Sequence, residues 1–163
     1  GEETLVAGPC AAEPLTKQRR GGQQPVPGAG VTTLAVRNVP ARYTQEQLIR
    51  EWRPEWSFDF LHLPYCFEER RTKGYAFVNF TSHEAAVAFQ QHWHGQRLGL
   101  HVRGRSLDVI PAHVQGYLAN LEHERANILN QDVPNALLPA TFSGARRLDT
   151  RAEYRRLSET REA

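Results

Sequence analysis

The sequence predicts an α+β fold in which a four-stranded antiparallel sheet carries two helices on one face. Three observations predict it. Strand-like and helix-like runs follow one another in the order β-α-β-β-α-β over residues 31–112, each helix-like run begins at a good N-cap residue, and Gly or Pro separates the runs. This order is the split-βαβ, or ferredoxin-like, layout. We expect an additional C-terminal helix and flexible tails around it.

The first half of this order runs from "TTLAVRNVP" to "FDFLHLPY". Pro40 ends the first strand, because proline cannot donate a hydrogen bond to a neighbouring strand. Thr44 and Gln47 form a capping-box pattern at the start of the first helix. The helical spacing of the next apolar residues predicts a buried stripe at Leu48, Ile49 and Trp52. A second strand follows from Phe58.

The second half contains "KGYAFVNF", Lys73 to Phe80, as the third strand. The next segment, "SHEAAVAFQQHWHG", begins at the N-cap residue Ser82 and ends at Gly95, which predicts the second helix. "SLDVIP" is the last short strand. The order is therefore complete by residue 112.

The flanking segments differ in composition from this domain. Residues 1–30 are rich in Gly, Pro and Gln and predict a disordered linker. Residues 113–127 predict a helix with an apolar stripe, and residues 128–163 predict a mostly irregular, charged tail. The chain begins at Gly1 and contains no methionine, so we expect it to be a fragment or a processed product.

The bulk composition excludes little. Lys and Arg number 20 against 18 Asp and Glu, a mildly basic balance that suits a moderate polyanion binder but is also common in proteins that bind no nucleic acid. We expect no membrane span, because no apolar run reaches about 18 residues. Cys10 and Cys66 show no metal spacing, and we interpret them as free thiols. No zinc, Walker, nucleophile-elbow or dinucleotide pattern is present, so we expect no metal, no cofactor and no enzymatic activity.

The third strand carries aromatic or apolar residues on both of its faces. With a period of two, Ala76, Val78 and Phe80 point towards the helices, and Tyr75 and Phe77 lie on the opposite face. Exposed aromatic residues side by side are costly to solvate, which indicates a stacking platform. The alternative is that the C-terminal helix or tail covers them and forms a second small core.

These residues carry a family resemblance. "KGYAFVNF" fits the octamer of the RNA recognition motif (RRM) at every position, and "LAVRNVP" resembles the companion motif. More narrowly, "TTLAVRNVPARYTQEQL", "FDFLHLPYCF", "GYAFVNFTSHEAAVAFQQHWHG" and "VIPAHVQGYLANLEHER" resemble the Mei-two-like family of RNA-binding meiotic and developmental regulators, over about residues 32–125. The resemblance implies single-stranded RNA binding without chemistry, RNA regulation or processing, and residence in the nucleus or cytoplasm rather than secretion.

The resemblance also indicates the site residues. Tyr75 and Phe77 would stack on bases, Lys73 would approach phosphate and Asn79 would bond a base edge. Further phosphate contacts are expected from a basic set: Arg71, Arg103 and Arg105. Ala35 stands where RRMs usually have an aromatic residue, and Arg37 on the same face could partly replace the missing ring.

The alternative function is a protein-interaction RRM, whose sheet would be occluded by the C-terminal helix. The absent aromatic residue at Ala35 favours this alternative, while Lys73, Tyr75 and Phe77 favour RNA. Single-stranded DNA would use the same surface as RNA. A protein partner could also contact the helical face or the tail, and we expect no membrane and no small-molecule substrate as partner.

Overall fold

The computed structural model describes residues 27–53, 55–99, 104–130 and 132–162. The strands are β1 Thr33–Arg37, β2 Phe58–His62, β3 Tyr65–Cys66, β4 Arg71–Thr72, β5 Tyr75–Phe80, β6 Asp108–Pro111, β7 Ala140–Ser143 and β8 Arg146–Leu148. The helices are α1 Gln45–Trp52, α2 His83–Trp93, α3 Tyr117–His123, α4 Arg125–Leu129 and α5 Thr150–Glu162, with a short 3-10 helix at Asn135–Leu137.

Six of these strands form one antiparallel sheet in the order β6-β1-β5-β2-β7-β8. The first four in this order are the strands that the sequence predicts, and β7 and β8 extend the sheet beyond β2. Strands β3 and β4 form a separate hairpin between β2 and β5. The predicted α+β, ferredoxin-like fold with a C-terminal helix is therefore confirmed.

The main core lies between the sheet and helices α1 and α2, on what we call the helix face. Ala76, Val78 and Phe80 of β5 are buried there, as their alternation predicts. The rings of Trp52 and Phe89 meet edge to face, with centroids 5.0 Å apart. Each fully buried large apolar side chain stabilises the fold by about 1.5–3 kcal/mol relative to exposure.

Both predicted helix starts are correct. The Thr44 hydroxyl accepts from the Gln47 backbone N–H at 3.1 Å, and the Gln47 side-chain oxygen accepts from the Thr44 N–H at 2.8 Å, which completes the capping box. The Ser82 hydroxyl accepts from the Ala85 N–H at 3.0 Å. Local sequence therefore determines where α1 and α2 begin.

Two predicted segments and one predicted cysteine state need correction. Residues 128–163 are not mostly irregular: they hold β7, β8 and the 13-residue helix α5. The helix predicted at 113–127 is two short helices that meet at Glu124. Cys66 is disulfide-bonded rather than a free thiol, because the absence of a typical spacing along the chain does not exclude a disulfide; Cys10 lies outside the described residues. Of the linker predicted at 1–30, residues 1–26 lie outside the described part.

None of the helices in the described part of the chain is long and apolar enough to cross a membrane. Within the same residues, no group of three or more His, Cys, Asp or Glu side chains is placed to hold a metal ion.

Candidate nucleic-acid interface

The second face of the sheet carries the residues that the RRM octamer singles out. Ala35 of β1 lies opposite Phe77 of β5 and also opposite Ile110 of β6. His62 of β2 lies opposite Phe77 from the other side. Phe77 is therefore at the centre of this face, with the small side chain of Ala35 beside it.

Three C-terminal helices, α3, α4 and α5, lie over this face, and we call them the C-terminal cover. Their side chains form a second apolar cluster with the sheet, whose buried members are Phe60, Leu121, Ile128 and Tyr154. Phe77 packs against this cluster, as do Tyr117 of α3 and Leu157 of α5. The sheet therefore has apolar cores on both faces.

The cover changes the environment of the predicted stacking platform. Tyr75 is 5% exposed and Phe77 is half-buried, with their ring centroids 5.5 Å apart and nearly perpendicular. The prediction that both rings are exposed is wrong for Tyr75, because the chain after β6 folds back over the sheet. Their predicted role in stacking on bases stays a prediction.

Asn79 is held inside a buried polar network. Its side-chain oxygen accepts from the hydroxyls of Thr32 and Thr33, each at 2.7 Å, and its amide donates to Asp59 at 2.8 Å. The residue is 4% exposed. Burial raises the pKa of Asp59, although the hydrogen bond from Asn79 opposes this shift. Asn79 therefore serves the fold in this arrangement, and its predicted contact with a base edge would require the cover to move.

The same network attaches the cover to β1. The Thr33 hydroxyl accepts from the Gly116 N–H at 2.9 Å and from the Asn120 amide at 3.2 Å. The Gln115 side-chain oxygen accepts from the backbone N–H groups of Thr32 and Thr33, and its amide donates to the Thr33 carbonyl. These bonds determine where α3 leaves the sheet, so polar contacts as well as apolar packing hold the cover in place.

The predicted basic residues within the described ranges are at least partly exposed. Arg37 is partly exposed and pairs with Asp108 at 3.4 Å, opposite it on β6. Arg71 is exposed and pairs with Glu69. Arg105 is exposed, and Arg103 lies outside the described residues. Neighbouring carboxylates therefore partly neutralise Arg37 and Arg71.

One cavity remains open beside the covered face, at the end of β2 and the start of β5. We call it the Lys73 pocket. It has a volume of about 260 Å³, and the residues that line it include His62, Tyr65, Phe67, Lys73, Tyr75, Glu124 and Asn127. It joins two octamer residues, Lys73 and Tyr75, to side chains from the β3–β4 hairpin and from the cover. The octamer therefore reaches solvent here although most of its strand is buried.

Glu124 is the charged group of the cover in this pocket. One of its oxygens accepts from the Asn127 amide at 2.7 Å, and the other lies 3.6 Å from His62 Nδ1. Burial raises the pKa of Glu124, but the neighbouring His62 ring and the Asn127 amide outweigh burial and lower it to about 2. The carboxylate is therefore ionised at neutral pH.

Several of these residues are absent from the sequence prediction. Glu124 and Asn127 reach the pocket from a segment that is distant along the chain, and His62 is not among the site residues that the sequence predicts. Phe67 stands inside the charged loop "CFEERRTK" and is 54% exposed in the structure. A single exposed aromatic residue is common on protein surfaces, so the sequence carried no signal for its place beside the pocket.

The pattern of a family of known proteins matches residues 31–125, and its description is "RNA recognition motif 2". The chain belongs to this family. It is 33% identical over 132 residues to "Protein terminal ear1" of Zea mays, and the match covers 71% of this chain and 20% of that protein. It is 27% identical over 117 residues to "Protein MEI2-like 3" of Arabidopsis thaliana, and that match covers 70% of this chain and 15% of the relative. The expected Mei-two-like RRM is therefore confirmed.

The chain spans about a fifth of the length of these curated relatives. Among solved structures, it is similar to "Structure of Rna15 RRM with bound RNA (GU)", at 22% identity and a TM-score of 0.46 over 57% of this chain and 96% of that one. It is also similar to "SXL-LETHAL PROTEIN/RNA COMPLEX", at 25% identity and a TM-score of 0.45, with 53% and 50% coverage.

Proposed function

We propose that this RRM binds single-stranded RNA, and that the Lys73 pocket is where RNA first contacts the sheet. The observation that carries the proposal is that Lys73 and Tyr75 of the octamer line an open cavity, while Ala76, Val78, Asn79 and Phe80 are buried and Phe77 is half-buried against the cover. Membership of the RRM family supports RNA as the ligand.

The contacts expected at this site follow from the chemistry of its side chains. A base can stack on Phe67, which is exposed and packs edge to face against Tyr65 with centroids 5.2 Å apart. The half-buried ammonium group of Lys73 can approach the adjacent phosphate. Arg71 and Arg105 would extend the phosphate contacts along the edge of the sheet, and Arg37 and Phe77 would contribute if the cover moves.

The biological role that we propose is RNA regulation or processing, in the nucleus or the cytoplasm, with a meiotic or developmental setting. Membership of the RRM family supports RNA as the target of this role. A fluorescent fusion of the native full-length protein, imaged in its own cells, would test the location, and a purely extracellular signal would refute it.

The binding proposal is tested by fluorescence anisotropy with short randomised single-stranded RNA. Phe67→Ala should weaken binding about fivefold or more, because stacking on one base contributes about 1–3 kcal/mol. Lys73→Gln should weaken binding and reduce by about one the slope of the logarithm of the binding constant against the logarithm of the salt concentration. Arg50→Gln is the matched control, because it removes the same charge from an exposed position on the opposite layer.

Two results would refute the proposal. The folded wild type might bind no RNA, or it might bind RNA with an affinity that neither Phe67→Ala nor Lys73→Gln changes. A parallel titration with DNA of the same sequence distinguishes RNA from general single-strand binding, since the 2′-OH is the group that differs.

A second candidate function is protein interaction, and the C-terminal cover is the observation that favours it. Tyr75, Asn79 and Ala35 are all buried, so a flat stacking surface is not open in this arrangement. Leu157→Glu would place a charge in the contact between α5 and the sheet and loosen the cover. If neither the wild type nor this variant binds RNA while both stay folded, the protein-interaction function is favoured; RNA binding gained by the variant would identify a masked RNA surface instead.

A further inference from the structure

We propose that the Lys73 pocket binds one guanine base, whose N1–H and N2–H₂ groups donate to the Glu124 carboxylate. This inference rests on the proposed function, because it names the base that the RNA site would select. Four features of the pocket carry it: its size, its aromatic lining, its charge and one buried nitrogen without a hydrogen bond.

The size of the pocket limits the ligand to a single base. Its volume of about 260 Å³ lies just below the range of about 300–1,000 Å³ found for pockets that hold drug-sized molecules. The aromatic side chains of Tyr65, Phe67 and Tyr75 line it. A planar aromatic ligand matches such a lining, because stacking on aromatic side chains is the usual way that RRMs hold unpaired bases.

The charge of the pocket selects among the bases. An ionised carboxylate only accepts hydrogen bonds, and its two oxygens have about four acceptor positions. One oxygen of Glu124 accepts from Asn127, so further positions are available for a ligand. Guanine is the base whose pairing edge has two adjacent donors, N1–H and N2–H₂. Adenine, cytosine and uracil each present a ring nitrogen or carbonyl acceptor beside their donor, and that acceptor would face the negative charge.

The same charge argues against a phosphate ligand in this position. A carboxylate repels phosphate, and burial makes that repulsion stronger than it would be in water. Lys73 lies on the same pocket and has no ion-pair partner within the described ranges, so it can hold the phosphate outside while the base enters. Donors from a base would form charge-assisted bonds with Glu124, which are the stronger kind.

His62 supplies an independent observation. Its Nδ1 is buried and has no hydrogen-bond partner among the described residues, since 3.6 Å to Glu124 is too long for a hydrogen bond. His62 as a whole is 4% exposed and lines the pocket. Buried polar atoms are nearly always bonded, so an exception that lines a pocket calls for an explanation, and a ligand is one. A small shift of the carboxylate on binding would bring it within bonding distance of His62.

The test compares fluorescent oligouridines that carry one central guanine, inosine, adenine or cytosine. We expect the guanine oligomer to bind about tenfold tighter than all-uridine, the factor that corresponds to 1.4 kcal/mol. Inosine, which lacks the N2 amine, should lose part of that preference. Glu124→Gln should abolish the preference, with folding checked by circular dichroism, whereas the control Arg50→Gln should keep both the preference and all-uridine binding within about twofold.

Each outcome has a distinct meaning. If no oligomer binds the folded wild type, the proposed RNA-binding function fails. If all oligomers bind equally, the guanine inference is overturned and RNA binding stands. If guanine is preferred but inosine is equal to it, or Glu124→Gln keeps the preference, then Glu124 does not read the base edge. The inosine comparison uses only the wild type, so it decides the question even if Glu124→Gln fails to fold.

Discussion

Leu121→Ala is the substitution that best tests whether the C-terminal cover is packed on the sheet. Leu121 is 1% exposed and belongs to the cluster formed with Phe60, Ile128 and Tyr154. The substitution removes Cγ and both methyl groups, a loss of about 2.4 kcal/mol at ~0.8 kcal/mol per group. The cavity left behind adds to this, so we expect the free energy of unfolding to fall by about 3–4 kcal/mol, within the range of about 2–5 kcal/mol for such sites.

The assay is equilibrium unfolding in urea, followed by far-ultraviolet circular dichroism. The matched control is Leu118→Ala, which makes the same chemical change on the same helix. Leu118 is 61% exposed, so its substitution should change the free energy of unfolding by less than about 0.5 kcal/mol. The difference between the two variants measures burial under the cover, because helix propensity changes equally in both.

Equal, small effects of the two substitutions would refute the packing of α3 on the sheet. A second result is also informative. If Leu121→Ala produces two separate transitions, the cover unfolds apart from the sheet as a unit of its own.

Three further predictions concern stability. The pKa of Glu124 is lowered from 4.5 to about 2, so the stability that its carboxylate gives the fold is complete above pH 4.5 and is lost as the pH falls towards 2. Thermal melts over that interval should show the wild type losing up to about 3 kcal/mol more stability than Glu124→Gln. Parallel curves for the two proteins would contradict this. Gly74→Ala should cost about 1–2 kcal/mol in urea unfolding, because φ is +85° there although the methyl group has room; an unchanged midpoint would count against this conformation. Gln45→Ala should lower the free energy of unfolding by about 2 kcal/mol. The buried Gln45 amide donates to the Leu138 carbonyl at 2.7 Å, and its oxygen accepts from the Leu63 N–H at 2.9 Å. An unchanged free energy of unfolding would show that these bonds do not stabilise the fold.

The parts of the fold that the sequence predicts are those with local signals. Alternation in "KGYAFVNF" correctly assigns Ala76, Val78 and Phe80 to the helix face, and the capping residues Thr44 and Ser82 mark the helix starts. Strand β7 lacks such a signal. It forms by pairing with β2, where Phe60 lies opposite Thr141, and these two residues are far apart in the chain.

The sequence predicts only part of the site, because only some of the site residues have local signals. The period of two correctly puts Tyr75 and Phe77 on the second face, but their exposure depends on helices that fold back from beyond residue 112. Helix α5 has a weak apolar stripe in a charged segment. Such a helix is only marginally stable by itself, and the packing of Tyr154 and Leu157 against the second apolar cluster stabilises it. Glu124 enters the pocket through the same long-range packing.

The position of β7 and β8 has a consequence for solubility. Strand β7 pairs along β2, and β8 pairs along β7. Without β7, the β2 sequence "FDFLH" would offer a strand with unpaired backbone groups to another chain. The outer strands are instead β8, three residues with Arg146 and Arg147, and β6, four residues that include Asp108 and end at Pro111. Short, charged or proline-containing edges resist strand addition. A chain shortened to the family match at 31–125 would expose β2 and should aggregate, whereas one extended through β8 should not.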